Sequence, residues 1–126
     1  MPRKKADPRP NSESLIQAIL KGMLDKKAKD PVVLDFSKLK HAVCDAFVVC
    51  HGTSRNQIEA IAEAVIMEVK KESGDSPWHR EGFENAEWIL IDYFSVVVHI
   101  FQDTRRTFYN LEQLWGDAKV TKIESP

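Results

Sequence analysis

Two neighbouring segments in the second half of the chain carry apolar side chains on both faces of an extended backbone, and they restrict the fold more than any other feature. Residues 87–92 and 95–101 are rich in Ile, Val and aromatic residues at both alternating positions. A tight turn near Tyr93 joins them, which predicts an antiparallel hairpin. Strands with this pattern are covered on both sides in folded proteins, so we expect the hairpin to lie inside a layered core.

The rest of the chain alternates between helical and strand patterns. An apolar stripe at helical spacing begins at Ser12, and a second begins at Ser54, where Gln57 completes a capping box and Gly74 ends the helix. Pro77 restricts its segment to a sheet edge, because proline has no N–H to donate. The sequence therefore predicts an α+β fold with a mixed five-stranded sheet and about three helices. The predicted strands are 32–36, 45–50, 77–81, 87–92 and 95–101, and the predicted last helix runs from Asp103 toward Trp115.

The size and composition of the chain indicate one globular domain. A chain of 126 residues with 43% apolar and 29% charged residues can bury a core of its own. The net charge of −1 excludes a polycation that coats nucleic acid through bulk charge. We expect a flexible basic, proline-rich arm at 1–10, the domain at 11–120 and a tail at 121–126. The arm is either a solvated tail or a contact to RNA phosphates.

The sequence also indicates where the protein works. No apolar run approaches the roughly 18 residues needed to cross a bilayer, so no membrane partner is expected. The amino end leads into prolines instead of an apolar stretch, unlike a secretory signal. Two cysteines in a chain of this length are typical of a reducing compartment. We therefore expect a cytoplasmic protein.

The predicted helices are too few to cover both faces of the predicted sheet. Five strands make a sheet about 24 Å wide, and two helices of about 10 Å diameter cover one face of that width. Three helices cannot cover both faces, although three of the strands are apolar on both. The sequence predicts that part of one face lacks an intramolecular cover and meets a partner. The alternative is that loops and the last helix fill the gap.

Two cysteines and two histidines near the second predicted strand suggest a zinc site, but their spacing argues against one. The pairs are His41 with Cys44, and Cys50 with His51. If the cysteines flank one extended strand, about 20 Å separates them, which is too far for one ion. We therefore expect no metal and no cofactor.

The turn Gly52-Thr53-Ser54 between a strand and a helix resembles the phosphate loop of nucleotidyltransferases. Those enzymes need two carboxylates at alternating positions of a strand to hold magnesium. No predicted strand here carries such a pair, and Asp45 and Asp92 stand alone on theirs. We therefore expect Ser54 to cap a helix and the protein not to be an enzyme, with a nucleotide-binding enzyme as the alternative.

Three blocks of the sequence together resemble the Iojap family, the ribosomal silencing factors. The first block reads Asp-Ala-Phe-Val-Val-Cys-His-Gly-Thr-Ser at 45–54, and the second contains Glu-Trp-Ile-Leu-Ile-Asp-Tyr at 87–93 followed by Val-Val-Val-His-Ile-Phe at 96–101. Arg106, Tyr-Asn-Leu-Glu at 109–112 and Leu-Trp at 114–115 match the closing helix. The match runs from about Leu15 to Ala118. Tyr93-Phe94-Ser95 departs from the family, which often turns through Gly-Asp there.

The resemblance implies a nucleotidyltransferase-like fold without catalytic carboxylates, and a function without a reaction. Members of the family bind the large ribosomal subunit through its fourteenth ribosomal protein, block joining of the small subunit and repress translation when nutrients are scarce. The resemblance also allows a homodimer, which would use the same apolar face. Contact with RNA is not required by this mechanism.

We assign partner binding to residues of the hairpin and the closing helix that fall within the matching blocks. Large aromatic side chains dominate the energetics of protein interfaces. The candidate contact residues are Trp88, Tyr93 and His99 in the hairpin, with Arg106 and Tyr109 flanking them.

Overall fold

The computed structural model describes residues 12–39, 44–103 and 118–124, which form two helices and six strands in an α+β arrangement. The helices are α1 (Ser12–Asp25) and α2 (Arg55–Ser73). The strands are β1 (Lys29–Asp35), β2 (Ala46–Gly52), β3 (His79–Glu81), β4 (Trp88–Asp92), β5 (Val96–Gln102) and β6 (Lys119–Lys122). The sheet order is β3–β4–β5–β2–β1–β6. Since β2 and β5 pair in parallel and the other neighbours are antiparallel, the sheet is mixed, as predicted.

The predicted hairpin is confirmed, with β4 and β5 antiparallel and Trp88 opposite Phe101. Its two faces contribute to two separate apolar clusters. The side chains of Ile89, Ile91 and alternate β5 residues belong to the helix-side cluster, whereas Trp88 and Phe101 belong to the cluster on the opposite face. The β4–β5 pair thus lies between two apolar layers, as the alternation of its residues predicted.

Both helices lie on one face of the sheet and pack closely against each other. Gly22 of α1 is buried against α2, and a Cβ at this position would lie 2.8 Å from Val65 Cα. At the rim of this contact, Lys21 Nζ lies 3.2 Å from a carboxylate oxygen of Glu68. Glycine in the middle of a helix normally destabilises it by about 1 kcal/mol. Here it permits the close approach of the two helix backbones.

The ends of α2 follow the predicted capping pattern. Ser54 has an extended backbone, and its hydroxyl accepts a hydrogen bond from Gln57 N at 3.1 Å. Gly74 ends the helix with φ 79°, a left-handed conformation that favours glycine. The Gln57 amide nitrogen also donates to the carbonyl oxygens of Lys26 and Lys27, at 3.3 and 3.0 Å. One side chain therefore connects the start of α2 to the turn after α1.

The prediction of five strands was wrong, because the described residues form six. The additional strand, β6, pairs antiparallel with β1 and crosses the expected boundary between domain and tail at residue 120. All four of its residues are exposed, so it has no alternating apolar pattern that could reveal it. Backbone hydrogen bonds to β1 hold this strand in the sheet. The predicted last helix lies in residues beyond Asp103 that are outside the described ranges.

The prediction that the second sheet face lacks a cover was wrong for its centre. The innermost residues of this face are buried within the chain itself, and they are Val32, Leu34, Val49, His99 and Phe101. Phe36, Leu39, Cys44 and Ala118 pack into the same cluster. Segments outside the helices and strands therefore contribute to its cover, which was the alternative given by the sequence. Half-buried apolar side chains remain on this face, among them Phe47, Trp88 and Val97.

No helix among the described residues is long and apolar enough to cross a membrane.

Candidate functional site

A group of aromatic rings on the second sheet face includes two of the residues selected from the sequence. This aromatic cluster consists of Phe36, Phe47, Trp88, His99 and Phe101. The ring of Trp88 stacks on that of Phe101 with centroids 5.1 Å apart, because the hairpin register places these residues opposite each other. The His99 ring lies 4.4 Å from that of Phe47 and 5.9 Å from that of Trp88. The structure therefore brings Trp88 and His99 together.

A hydrogen bond joins the two residues. Trp88 Nε1 donates to His99 Nδ1 at 3.0 Å. Because Nδ1 is the acceptor, the imidazole is neutral and carries its proton on Nε2. Among the described residues, His99 Nε2 has no hydrogen-bond partner. Burial lowers the pKa of His99 to about 4, which is consistent with a neutral ring.

The two residues differ in their access to a partner. His99 is only 3% exposed, whereas Trp88 is half-buried. Leu90, which follows Trp88 on the same face of β4, is also half-buried. A macromolecule docking on this part of the sheet would therefore contact Trp88 and Leu90 and would not reach His99.

Tyr93 lies on the other side of the sheet. Its side chain is 4% exposed and belongs to the helix-side cluster. Burial raises the pKa of its phenol. The structure therefore separates Tyr93 from the aromatic cluster, although Tyr93 follows β4 directly. Arg106 and Tyr109 lie outside the described residues, so their assignment stays a prediction.

The comparison with known proteins decides the family. The model of the family described as "Ribosomal silencing factor during starvation" matches residues 9–126. The chain belongs to this family. It is 40% identical over 114 residues to the ribosomal silencing factor of Halalkalibacterium halodurans, a match that covers 90% of this chain and 96% of the relative. Its identity to the factor of Bacillus subtilis is 39% over 114 residues, which cover 90% and 95% of the two chains.

A solved structure agrees with the described fold. A crystal structure of a Chromobacterium violaceum protein superimposes with a TM-score of 0.78 at 33% identity, covering 85% of this chain and 88% of that one. The family model and the relatives confirm the resemblance that the sequence predicted. Membership supports a ribosome-associated role in silencing translation. The name of the family refers to silencing and does not name a reaction.

The hairpin turn between β4 and β5 has unusual backbone geometry at Phe94. Phe94 has φ 72°, and Ser95 N donates to Tyr93 O across it at 2.9 Å. This hydrogen bond closes a γ-turn with positive φ, a rare conformation that is strained for residues other than glycine. Asp92 supports it, because its carboxylate accepts a hydrogen bond from Phe94 N at 2.7 Å. Glycine would adopt this φ without strain.

Sequence reasoning missed a second aromatic surface at the edge of the sheet. Trp78 and Phe94 are 65% and 53% exposed, and their rings lie 4.8 Å apart. Trp78 N donates to Asp92 O, which places Trp78 beside the end of β4. The sequence contained no signal for this contact, because it depends on the pairing register between β3 and β4.

The turn that resembles a phosphate loop makes its hydrogen bonds within the protein. Thr53 N donates to Gln57 Oε1 at 2.8 Å, and Ser54 accepts from Gln57 N. These contacts agree with the capping interpretation.

The two cysteines lie in different clusters on opposite faces of the sheet, Cys44 in one and Cys50 in the other. Burial raises the pKa of the Cys44 thiol to about 11. Within the described ranges, no three His, Cys, Asp or Glu side chains are grouped as metal ligands.

Proposed function

We propose that this protein binds the large ribosomal subunit through the subunit's fourteenth ribosomal protein and blocks joining of the small subunit. Translation then falls when nutrients are limiting. The proposed mechanism is steric, because the bound factor and the small subunit cannot occupy the same surface. It requires no reaction, no cofactor and no metal. A factor of this kind would act in the cytoplasm, where the ribosomes of a bacterium are found.

The observation that carries the proposal is the match of the family model to residues 9–126, which leaves only the first eight residues outside it. Relatives named as ribosomal silencing factors match over nearly their whole lengths, so a common function does not depend on a domain that this chain lacks. The nucleotidyltransferase-like architecture implied by the resemblance is part of the same proposal.

We place the main contact on the exposed part of Trp88, with Leu90 beside it. Both are half-buried side chains on β4, in a sheet face whose centre is closed. A partly exposed tryptophan on a rigid strand has the properties of an interface anchor, since it offers a large apolar area and loses little freedom on binding. We assign Tyr93 to the core because it is buried on the helix side. Arg106 and Tyr109 remain as flanking candidates.

The proposal is tested by sedimentation of the full chain with separated ribosomal subunits on sucrose gradients. The unmodified protein should travel with the large subunit and not with the small one. Trp88→Ala should weaken this association by tenfold or more, since truncation of a central aromatic anchor commonly costs 2 kcal/mol or more.

Trp78→Ala is the matched control, because it removes an exposed tryptophan from a different part of the sheet. It should leave sedimentation with the large subunit unchanged. Absence of the unmodified protein from the large-subunit fractions would overturn the proposal. Equal loss in both variants would overturn the assignment of the contact to Trp88. Magnesium-dependent binding of a nucleoside triphosphate in calorimetry would favour the enzyme alternative, and a larger apparent mass in the absence of ribosomes would indicate the homodimer.

A further inference from the structure

We propose that His99 is a positioning residue, which holds the indole of Trp88 in the orientation that the ribosomal partner recognises. The inference rests on the proposed function, since it explains how the contact at Trp88 is prepared. It changes the role of His99 from a contact, as expected from the sequence, to a buried support. Three features of the structure carry it.

The first feature is the geometry of the pair. His99 Nδ1 accepts the indole N–H at 3.0 Å, and the stacked ring of Phe101 supports the indole from its face. A stacking contact fixes the plane of the indole but is compatible with a 180° flip of the ring about χ2, which exchanges its two edges. The hydrogen bond to His99 selects one of these two orientations and therefore determines which edge of Trp88 is presented to solvent.

The second feature is the burial of His99 itself. With 3% exposure, it cannot contact a macromolecule bound to the surface. Its ring lies beneath the exposed part of the site, next to Phe47, and is held by the pairing of β5 with β2 on one side and β4 on the other. An effect of His99 on binding must therefore pass through its neighbours, and Trp88 is the described residue to which it is hydrogen-bonded.

The third feature is an energetic cost that stability does not explain. When Nδ1 accepts the hydrogen bond from Trp88, the proton is on Nε2, and this buried N–H group has no acceptor among the described residues. A buried donor without a partner destabilises a fold, and an apolar side chain of similar shape usually removes the cost. Leucine at position 99 would remove this cost, but it would also remove the acceptor of the Trp88 indole N–H. The histidine at this site is therefore explained by the hydrogen bond that its Nδ1 accepts from Trp88.

Holding Trp88 in one orientation should increase affinity. An interface side chain that is free before binding must be ordered on binding, which opposes association. A side chain fixed by its neighbours has already been ordered by folding. Loss of the acceptor at position 99 should therefore weaken binding even though the surface of Trp88 stays available.

The test compares three variants of the full chain in binding to large subunits. His99→Leu removes the acceptor, whereas His99→Asn retains an acceptor oxygen near the place of Nδ1. Trp88→Phe removes the indole N–H and keeps an aromatic ring. We expect His99→Leu to bind about tenfold more weakly and His99→Asn to stay within about threefold of the unmodified protein. We also expect the double variant His99→Leu/Trp88→Phe to be no weaker than the weaker single variant, because both changes remove the same interaction.

A second measurement separates positioning from a general structural effect. The chain has three tryptophans, so the indole N–H region of a ¹H–¹⁵N spectrum contains three signals. Trp88→Phe identifies the signal of Trp88. His99→Leu should move that signal and leave the signal of Trp78 in place, with an unchanged circular dichroism spectrum.

The outcomes are distinguishable. If His99→Leu is folded and binds as tightly as the unmodified chain, or if the Trp88 signal does not move, the inference is wrong while the proposed function stands. If the effects of His99→Leu and Trp88→Phe add, the two residues act separately and the inference is also wrong. If the unmodified chain fails to bind large subunits, the proposed function is lost, and the inference with it.

Discussion

Gly22 and Val65 mark the closest approach between the two helices, since a Cβ on Gly22 would lie 2.8 Å from Val65 Cα. The neighbouring contact, from the same position to the Ala64 carbonyl oxygen, would be 2.9 Å. Both neighbours are backbone atoms of α2, which cannot move aside as the end of a flexible side chain can. The close packing of the two helices that cover one face of the sheet therefore requires glycine at this position.

Gly22→Ala should destabilise the protein, although alanine is the better helix former. The gain in helix propensity is about 1 kcal/mol, and forcing the two helices apart should cost about 2–3 kcal/mol, so we expect a net loss of about 1–2 kcal/mol. Urea denaturation measures it. Gln17→Ala, at an exposed position of the same helix, should be neutral or slightly stabilising. Greater stability of Gly22→Ala than of the unmodified protein would contradict the described packing.

Phe94→Gly should be more stable than Phe94→Ala. Both variants lose the contact with Trp78, but alanine keeps a Cβ at φ 72° and glycine does not. A left-handed conformation costs an ordinary residue about 1–2 kcal/mol more than it costs glycine, from which the greater freedom of glycine in the unfolded chain must be subtracted. We expect a difference of about 1 kcal/mol in thermal or urea unfolding. A more stable alanine variant would show that the turn does not have this conformation in solution.

Gln57 should contribute to stability through both ends of its amide group. Its oxygen accepts from Thr53 N, and its nitrogen donates to the carbonyl oxygens of Lys26 and Lys27. Gln57→Glu retains the acceptor and loses the donor, whereas Gln57→Ala loses both. At about 1 kcal/mol for each of these three hydrogen bonds, we expect a loss of about 2 kcal/mol for glutamate, which loses the two donated bonds, and about 3 kcal/mol for alanine, which loses all three. Equal stability of the two variants would show that the contact to the turn after α1 contributes nothing.

His99 should make the protein less stable in mild acid. Its pKa is lowered to about 4 in the folded state from an ordinary 6.5, so the unfolded chain takes up a proton between these values while the folded chain does not. The contribution of His99 to the free energy of unfolding is fully present above about pH 6.5 and is lost as the pH falls toward 4. The loss at pH 5 should be about 2 kcal/mol at most.

The measurement is urea denaturation at pH 7 and pH 5, with His99→Leu as the control. The variant should lose less stability than the unmodified protein over this interval. The carboxylates of Asp35 and Glu68, whose pKa values are lowered by hydrogen bonds to Ser37 and Lys21, contribute mainly below the interval. An equal loss in both proteins would rule out a neutral buried His99.

Prediction from the sequence worked best where the local pattern and the final contacts agree. The hairpin could be found because residues 87–92 and 95–101 are apolar on both faces and are joined by a short turn, and α2 because Ser54 and Gly74 provide its caps. It failed for β6, which has no apolar pattern and forms through pairing with β1. Counting helices also failed to predict the cover of the second face, because Phe36 and Ala118, which lie outside helices and strands, pack there.

The candidate site could be predicted only in part. The opposite orientations of Trp88 and Tyr93 follow from the alternation of side chains along an extended strand, since the two residues are five positions apart. Alternation does not predict how far each side chain is buried, and Tyr93 and His99 are both buried. The hydrogen bond between Trp88 and His99 follows from the hairpin register, which places Phe101 opposite Trp88 and His99 diagonal to it. The pairing of Trp78 with Phe94 depends on a short edge strand whose register the sequence does not specify.

A steric block of subunit joining can be measured by mixing purified large and small subunits with the protein and following joining by light scattering. The unmodified chain should lower the yield of joined ribosomes in proportion to the large subunits it occupies. Trp78→Ala should do the same, and Trp88→Ala should need at least tenfold more protein for the same effect. Full joining in the presence of large subunits saturated with the unmodified chain would show that the protein does not block joining.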